Sequence, residues 1–213
     1  FLTKPIDVDA LLVSLDRALQ RRDLRLEAEN LRRQVREQNE GGLDGLVMVV
    51  GVASGLSLDN QTAEAWDREH ATNVRSCMLF GQQALRHMTP GGSIVLLSSI
   101  AALRNSSFNP AYETTKAAQV SLARSIAMAG QARGVRCNSI LPGLMDTPIG
   151  RAATRRRSDR LAMPLPFGRQ GTGWEVAYAA LFLMSHEASY VNGHALVVDG
   201  GLTGGIAAPR ASA

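Results

Sequence analysis

Apolar positions follow two patterns along these 213 residues. Continuous apolar runs stand at Gly45–Val52 (GLVMVVGV), Gly92–Ser98 (GSIVLLS), Val135–Leu141 and Ala195–Val198. Runs this short and unbroken, rich in Val, Ile and Leu, predict strands buried on both faces of a parallel sheet. Between them, roughly Thr62–His87, Tyr112–Ala132 and Trp174–Ser185 repeat their apolar positions at helical spacing. Strands alternating with helices predict an α/β domain, in which ligands bind at the carboxyl ends of the strands.

The beginning of the chain differs. Val8–Glu40 reads as nearly continuous helix: Asp7 or Asp9 is placed to cap it, Pro5 precedes it, and no glycine interrupts it before Gly41 and Gly42. Leu24, Ala28, Leu31 and Val35 form a seam of under two heptads, which suits either a solvated helix packing on its own protein or a short dimerising coil. Composition changes at the glycine pair, which divides the chain into an arm, 1–42, and a domain, 43–213.

Composition narrows the function classes. Apolar residues at 45% and charged residues at 20% are those of a folding globular chain. Net charge is +4, yet residues 1–40 hold eight basic and eight acidic side chains, and the one dense basic cluster is Arg151, Arg155, Arg156, Arg157 and Arg160. With aromatics at 5% and none interleaved with the arginines, no nucleic-acid partner is expected; the cluster reads as a loop or helix over a substrate pocket. Cys77 and Cys137 form no CxxC, and His70, His87, His186 and His194 lack metal spacing, so reduced thiols and no metal are expected. Trp66 and Trp174 read as packing residues. No apolar stretch is long enough for a membrane span and no leader pattern opens the chain, which predicts a cytoplasmic protein.

Of 23 basic residues, only Lys4 and Lys116 are lysine. Lys116 stands four residues after Tyr112 in AYETTKAA, so both project from one helical face. A neighbouring ammonium favours the phenolate and draws a phenol pKa from near 10 toward neutrality, which makes an acid–base group of Tyr112. Three Tyr and two Lys in 213 residues would give this spacing about 0.03 times by chance. Ser98 and Ser99 end the preceding strand, where Ser99 can orient a carbonyl or hydroxyl.

This ordered set resembles the short-chain dehydrogenases and reductases over about Leu43–Leu202. The matching features are a strand ending in Ser99, Tyr112 with Lys116, and a strand leading to Pro142-Gly143 in NSILPGLMDTP. The resemblance implies a partial Rossmann-type, doubly wound parallel sheet carrying an N-terminal helical arm. It implies an oxidoreductase that moves hydride between NAD or NADP and a carbonyl or secondary alcohol of a small molecule. Tyr112 would be the acid–base, Lys116 its tuner and a ribose ligand, and Ser99 the substrate orienter. Asn73, in ATNVRS, would hold a water linking Lys116 to solvent. Pro142 and Gly143 would pack the nicotinamide, and Thr147 would bind its carboxamide or phosphate. A homo-oligomer would form through Thr62–His87 and Tyr112–Ala132.

Two features depart from that family. The chain contains no TGxxxGxG turn to receive a pyrophosphate on backbone amides, and Met48, Val49, Val50 and Gly51 replace its Asn-Asn-Ala-Gly. FLTKPIDVDALLVSLDRAL instead resembles the end of a response-regulator receiver domain, with Lys4 in its Lys-Pro turn. Strand Gly45–Val52 is then expected at a sheet edge, with reduced stability or self-association as the consequence. The alternative to an enzyme is a catalytically silent interaction module; a transcriptional regulator is weaker still, because no helix-turn-helix pattern is present.

Overall fold

The structure, a computed structural model, describes residues 42–105, 108–155 and 164–206. The predicted arm helix, Lys4, and Arg156, Arg157 and Arg160 lie outside them.

Four parallel strands form one sheet in chain order: β1 (Leu43–Met48), β2 (Met88–Leu97), β3 (Arg136–Pro142) and β4 (Ala195–Val198). Register is set across the middle by Leu46 opposite Ile94, Ile94 opposite Cys137 and Ile140 opposite Leu196. Because successive side chains of a strand point to opposite faces, Ile94 and Leu96 enter one core with Cys77, Ala123, Ile126 and Ala127. Val95 enters another with Ile140, Val176 and Leu183. Each fully buried Ile or Leu contributes about 2 kcal/mol of transfer free energy, so burying both faces is the main force holding β2 and β3.

Helices cover both faces. The first comprises α1 (Ala63–His70), a π-helical segment (Ala71–Arg75) and α2 (Ser76–His87); α3 is Pro110–Gly130. A shorter helix, α4 (Pro148–Arg155), follows β3, and α5 (Gly173–Met184) packs on the opposite face. Thr172 and Glu175 start α5 with reciprocal side-chain-to-backbone bonds. Arg136, at the base of β3, donates to the Leu183 and Ser185 carbonyls and so ties off the end of α5. Both cysteines are buried free thiols, and burial pushes Cys137 up to about 12, which makes it inert.

Three expectations are corrected. β1 is not buried on both faces: Val47 is 41% exposed and of its residues only Met48 is buried. Its apolar character matches an interior strand, but among the described residues it pairs only with β2, the edge position expected of it. The helix predicted over Thr62–His87 is interrupted at Ala71–Arg75, where Asn73 bonds away from the helix. Trp174 is no packing residue, being 73% exposed near the start of α5, whereas Trp66 stacks on His70.

Candidate active site

The carboxyl ends of β1 and β2 open toward the first turns of α3. Pro110 starts that helix at a position where a missing N–H costs nothing. Tyr112 follows in the first turn, half-buried, and Lys116 one turn later is 3% exposed. The Lys116 ammonium lies 5.5 Å from the Tyr112 ring centroid.

Lys116 Nζ donates to the carbonyls of Val50 (3.2 Å) and Leu97 (2.9 Å) and to Gln119 Oε1 (2.9 Å). Thus one ammonium bridges the chain just past β1, the end of β2 and its own helix. Burial pushes its pKa down to about 8, and the Cys77 thiol partly offsets that shift. Three oxygen acceptors favour the charged form as well. Gly51 makes room for this arrangement, since a Cβ there would stand 3.1 Å from Nζ.

The two serines divide their work. Ser98 Oγ donates to the Lys116 carbonyl at 2.7 Å and its N–H to the Ile140 carbonyl, which pins α3 to β2 and β2 to β3. Ser99 is half-buried beside it, and its hydroxyl accepts from Ala101 N–H in a short turn.

Asn73 is fully buried in the π-helical segment. Its side chain accepts from Val52 N–H (2.8 Å) and donates to the Val52 carbonyl (2.9 Å) and to Thr115 Oγ1 (3.0 Å). Thr115 Oγ1 in turn donates to the Tyr112 carbonyl. Side-chain pairing with Val52 replaces a strand ladder where β1 has ended, and π turns of this kind recur at functional sites. Glu69, one turn earlier, accepts from Ser54 N–H at 2.7 Å and holds the same loop. The Asn73 carbonyl accepts from Gln119 Nε2 at 2.7 Å.

Asn73, Ser99, Tyr112 and Lys116 therefore meet at one end of the sheet. Ser98, Thr115 and Gln119 belong with them and were missed. Thr115 and Gln119 stand three and seven residues after Tyr112, on the same helical face, so polar residues on an inward stripe were the available signal.

Pro142 and Gly143 lie at the end of β3. Gly143 N–H donates to the Val198 carbonyl, and a Cβ there would sit 2.6 Å from that of Asp199, so close packing alone requires glycine. Thr147 precedes α4, and its hydroxyl accepts from Gly150 N–H. Beyond it, Arg151 pairs with Asp146 at 2.6 Å. A groove of about 620 Å³ lies farther along, lined by residues including Arg169, Trp174, Glu175 and Tyr178; Tyr112 and Lys116 do not line it. The polar set on α3 and the β3 end fit the nicotinamide-riboside end of a dinucleotide in chemistry. Nothing among residues 1–213 matches the glycine-rich turn expected at the pyrophosphate. Among the described residues no cluster of three or more metal-binding side chains occurs, and no helix is long and apolar enough to cross a membrane.

Comparison with known proteins bears on the family and the fold. Residues 23–203 match the family described as enoyl-(acyl carrier protein) reductase, a match that begins before the Gly41-Gly42 break. The chain is 37% identical over 175 residues to 2-(S)-hydroxypropyl-CoM dehydrogenase 3 of Xanthobacter autotrophicus, covering 78% of this chain and 69% of that protein. It is 36% identical, over 78% of its length and 76% of the relative, to the same organism's inactive 2-(S)-hydroxypropyl-CoM dehydrogenase 2. A solved short-chain type dehydrogenase/reductase from Mycobacterium ulcerans superposes with a TM-score of 0.72 at 38% identity, covering 77% of this chain and 62% of that one. The chain thus spans roughly two thirds of the length of such relatives, including the sheet end where the polar set gathers, and it belongs to the short-chain dehydrogenase/reductase family of oxidoreductases.

Proposed function

We propose that residues 43–213 form a nicotinamide-dependent oxidoreductase domain, preceded by an arm at 1–42, that interconverts a carbonyl and a secondary alcohol. The buried Lys116 ammonium 5.5 Å from the Tyr112 ring carries this reading. A bound NAD or NADP would supply or accept the hydride. Tyr112 gives its phenolic proton to the carbonyl oxygen during reduction and takes it back during oxidation. Lys116 keeps that phenol acidic enough to do so near neutral pH, because its positive charge favours the phenolate. Ser99 hydrogen-bonds the same substrate oxygen. Asn73 fixes the backbone past β1 and the first turn of α3, and Pro142, Gly143 and Thr147 bound the nicotinamide side. The protein acts in the cytoplasm, on a small molecule, as a homo-oligomer. Exposed Leu79 and Phe80 on α2 and Met128 on α3 support association through those helices.

Titration with NADH and NADPH, followed by cofactor fluorescence, tests the reading. Saturable binding below millimolar concentration is expected for one of them, and its absence for both sinks the enzyme reading of this chain. One observation favours the second reading, a silent interaction module: every Lys116 N–H already has a protein acceptor, so a ribose hydroxyl would have to displace one. A relative named as inactive at 36% identity shows that likeness at this level does not by itself carry activity.

A further inference from the structure

We propose that Gln119 is a positioning residue whose side-chain amide, held at its nitrogen by the Asn73 carbonyl, presents its oxygen to Lys116 and keeps that ammonium a fixed cation beside Tyr112. This deepens the acid–base reading of Tyr112 and rests on it.

An ammonium has three N–H donors, and Lys116 spends all three on Val50 O, Leu97 O and Gln119 Oε1. Two of those acceptors are backbone carbonyls, one at the end of β2 and one just past β1; Gln119 supplies the third and is the only one a mutation can remove. Its amide has one workable orientation. Nε2 donates to Asn73 O at 2.7 Å and lies 3.4 Å from Cys77 Sγ, while Oε1 faces the ammonium. Reversing the amide would set its NH₂ against the ammonium and its oxygen against the Asn73 carbonyl, two repulsive contacts in a site 1% exposed.

The donor and acceptor of a primary amide are different atoms, unlike those of water. A proton passed from Lys116 to Oε1 could not continue to Asn73 without giving the amide's unstable imidic-acid tautomer. Gln119 is therefore a static bridge, and Lys116 keeps its proton. The titratable groups facing the ammonium are Tyr112 on its own helix and Cys77 on α2; the ends of β1 and β2 present backbone carbonyls.

With only two lysines in the chain, Lys116 is directly readable. In the full chain labelled with [15N]lysine, Lys4→Arg leaves one ammonium resonance to titrate. On that background Gln119→Met, similar in length but without the acceptor, should lower the Lys116 midpoint by about one pH unit, and Gln119→Glu should raise it by a similar amount. A residue that merely fills space would leave the midpoint in place, and an unchanged midpoint in a folded Met variant overturns the proposal. Should that variant not fold, the unsubstituted chain decides: Gln119 side-chain amide protons exchanging as fast as those of exposed glutamines also overturn it. These signals are read without cofactor. Failure to bind NADH or NADPH would sink the enzyme reading and leave the bridge standing, whereas an unmoved Lys116 midpoint in a cofactor-binding chain would sink the bridge alone.

Discussion

The inward face of α3 has two halves that are buried alike and do opposite things. Toward its start stand Ala111, Thr115, Lys116 and Gln119; toward its end stand Ala123, Ile126, Ala127 and Gly130, and all are buried. The second half packs on Ile94, Leu96 and Cys137 beneath the sheet. The first half lies across the carboxyl ends of β1 and β2, and its polar atoms meet carbonyls and the Asn73 and Gln119 amides. Burial therefore does not distinguish core from site here. What distinguishes them is whether the opposing surface is side chain or exposed backbone at a strand end, since a buried polar group is tolerated only where it finds partners.

Exchanging the character of the two halves should break the comparison most severely. Ala127→Lys puts an ammonium where no carbonyl awaits it and should cost several kcal/mol, enough to abolish the cooperative thermal transition. Tyr112→Phe should do the reverse, lowering turnover at least 100-fold while the denaturation midpoint stays within what about 1 kcal/mol would shift. A large stability loss with little change in rate would mean that the polar half is ordinary core.

Linkage sharpens the same contrast. Lys116 titrates near 8 folded and 10.5 unfolded, so between those values the unfolded chain binds more protons and stability rises with pH. The gain should approach about 3 kcal/mol over that window, fully realised only above pH 10.5, and the penalty should be fully present below pH 8. Denaturant melts from pH 7 to 11 measure it, and Lys116→Met should lose this part of the slope. The smallest effect belongs to Ser98→Ala, which unties Ser98 Oγ from the Lys116 carbonyl. It should cost about 1 kcal/mol by urea denaturation. An effect near zero would show that β2 packing alone seats α3.

The pairing of Tyr112 with Lys116 was legible because four residues along a helix is a local distance. Gln119 and Thr115 lie on the same stripe and were within reach of the same argument, but a polar residue at an inward position does not announce its partner. The link between Asn73 and Val52 was not legible: it depends on β1 ending where a π turn brings the amide alongside. β1 was legible in part: its place at the sheet edge was expected, but burial on both faces is not met. Its apolar run describes an interior strand, while exposure of Val47 depends on how many neighbours the sheet supplies. Trp174 likewise reads as core by residue type, and only the packing of α5 leaves it in solvent.

By itself, then, the chain's order of residues determined the alternation of strands and helices, the parallel sheet and the spacing of Tyr112 with Lys116, because periodicity and local geometry need no knowledge of distant residues. Only the tertiary structure decided that Lys116 spends its three protons on Val50, Leu97 and Gln119, and that Asn73 holds both Val52 and Thr115. Apart from the local Lys116–Gln119 bond, those contacts join residues 19 to 66 apart, and a hydrogen bond reaches only about 3 Å, so nothing short of the assembled sheet brings them within range.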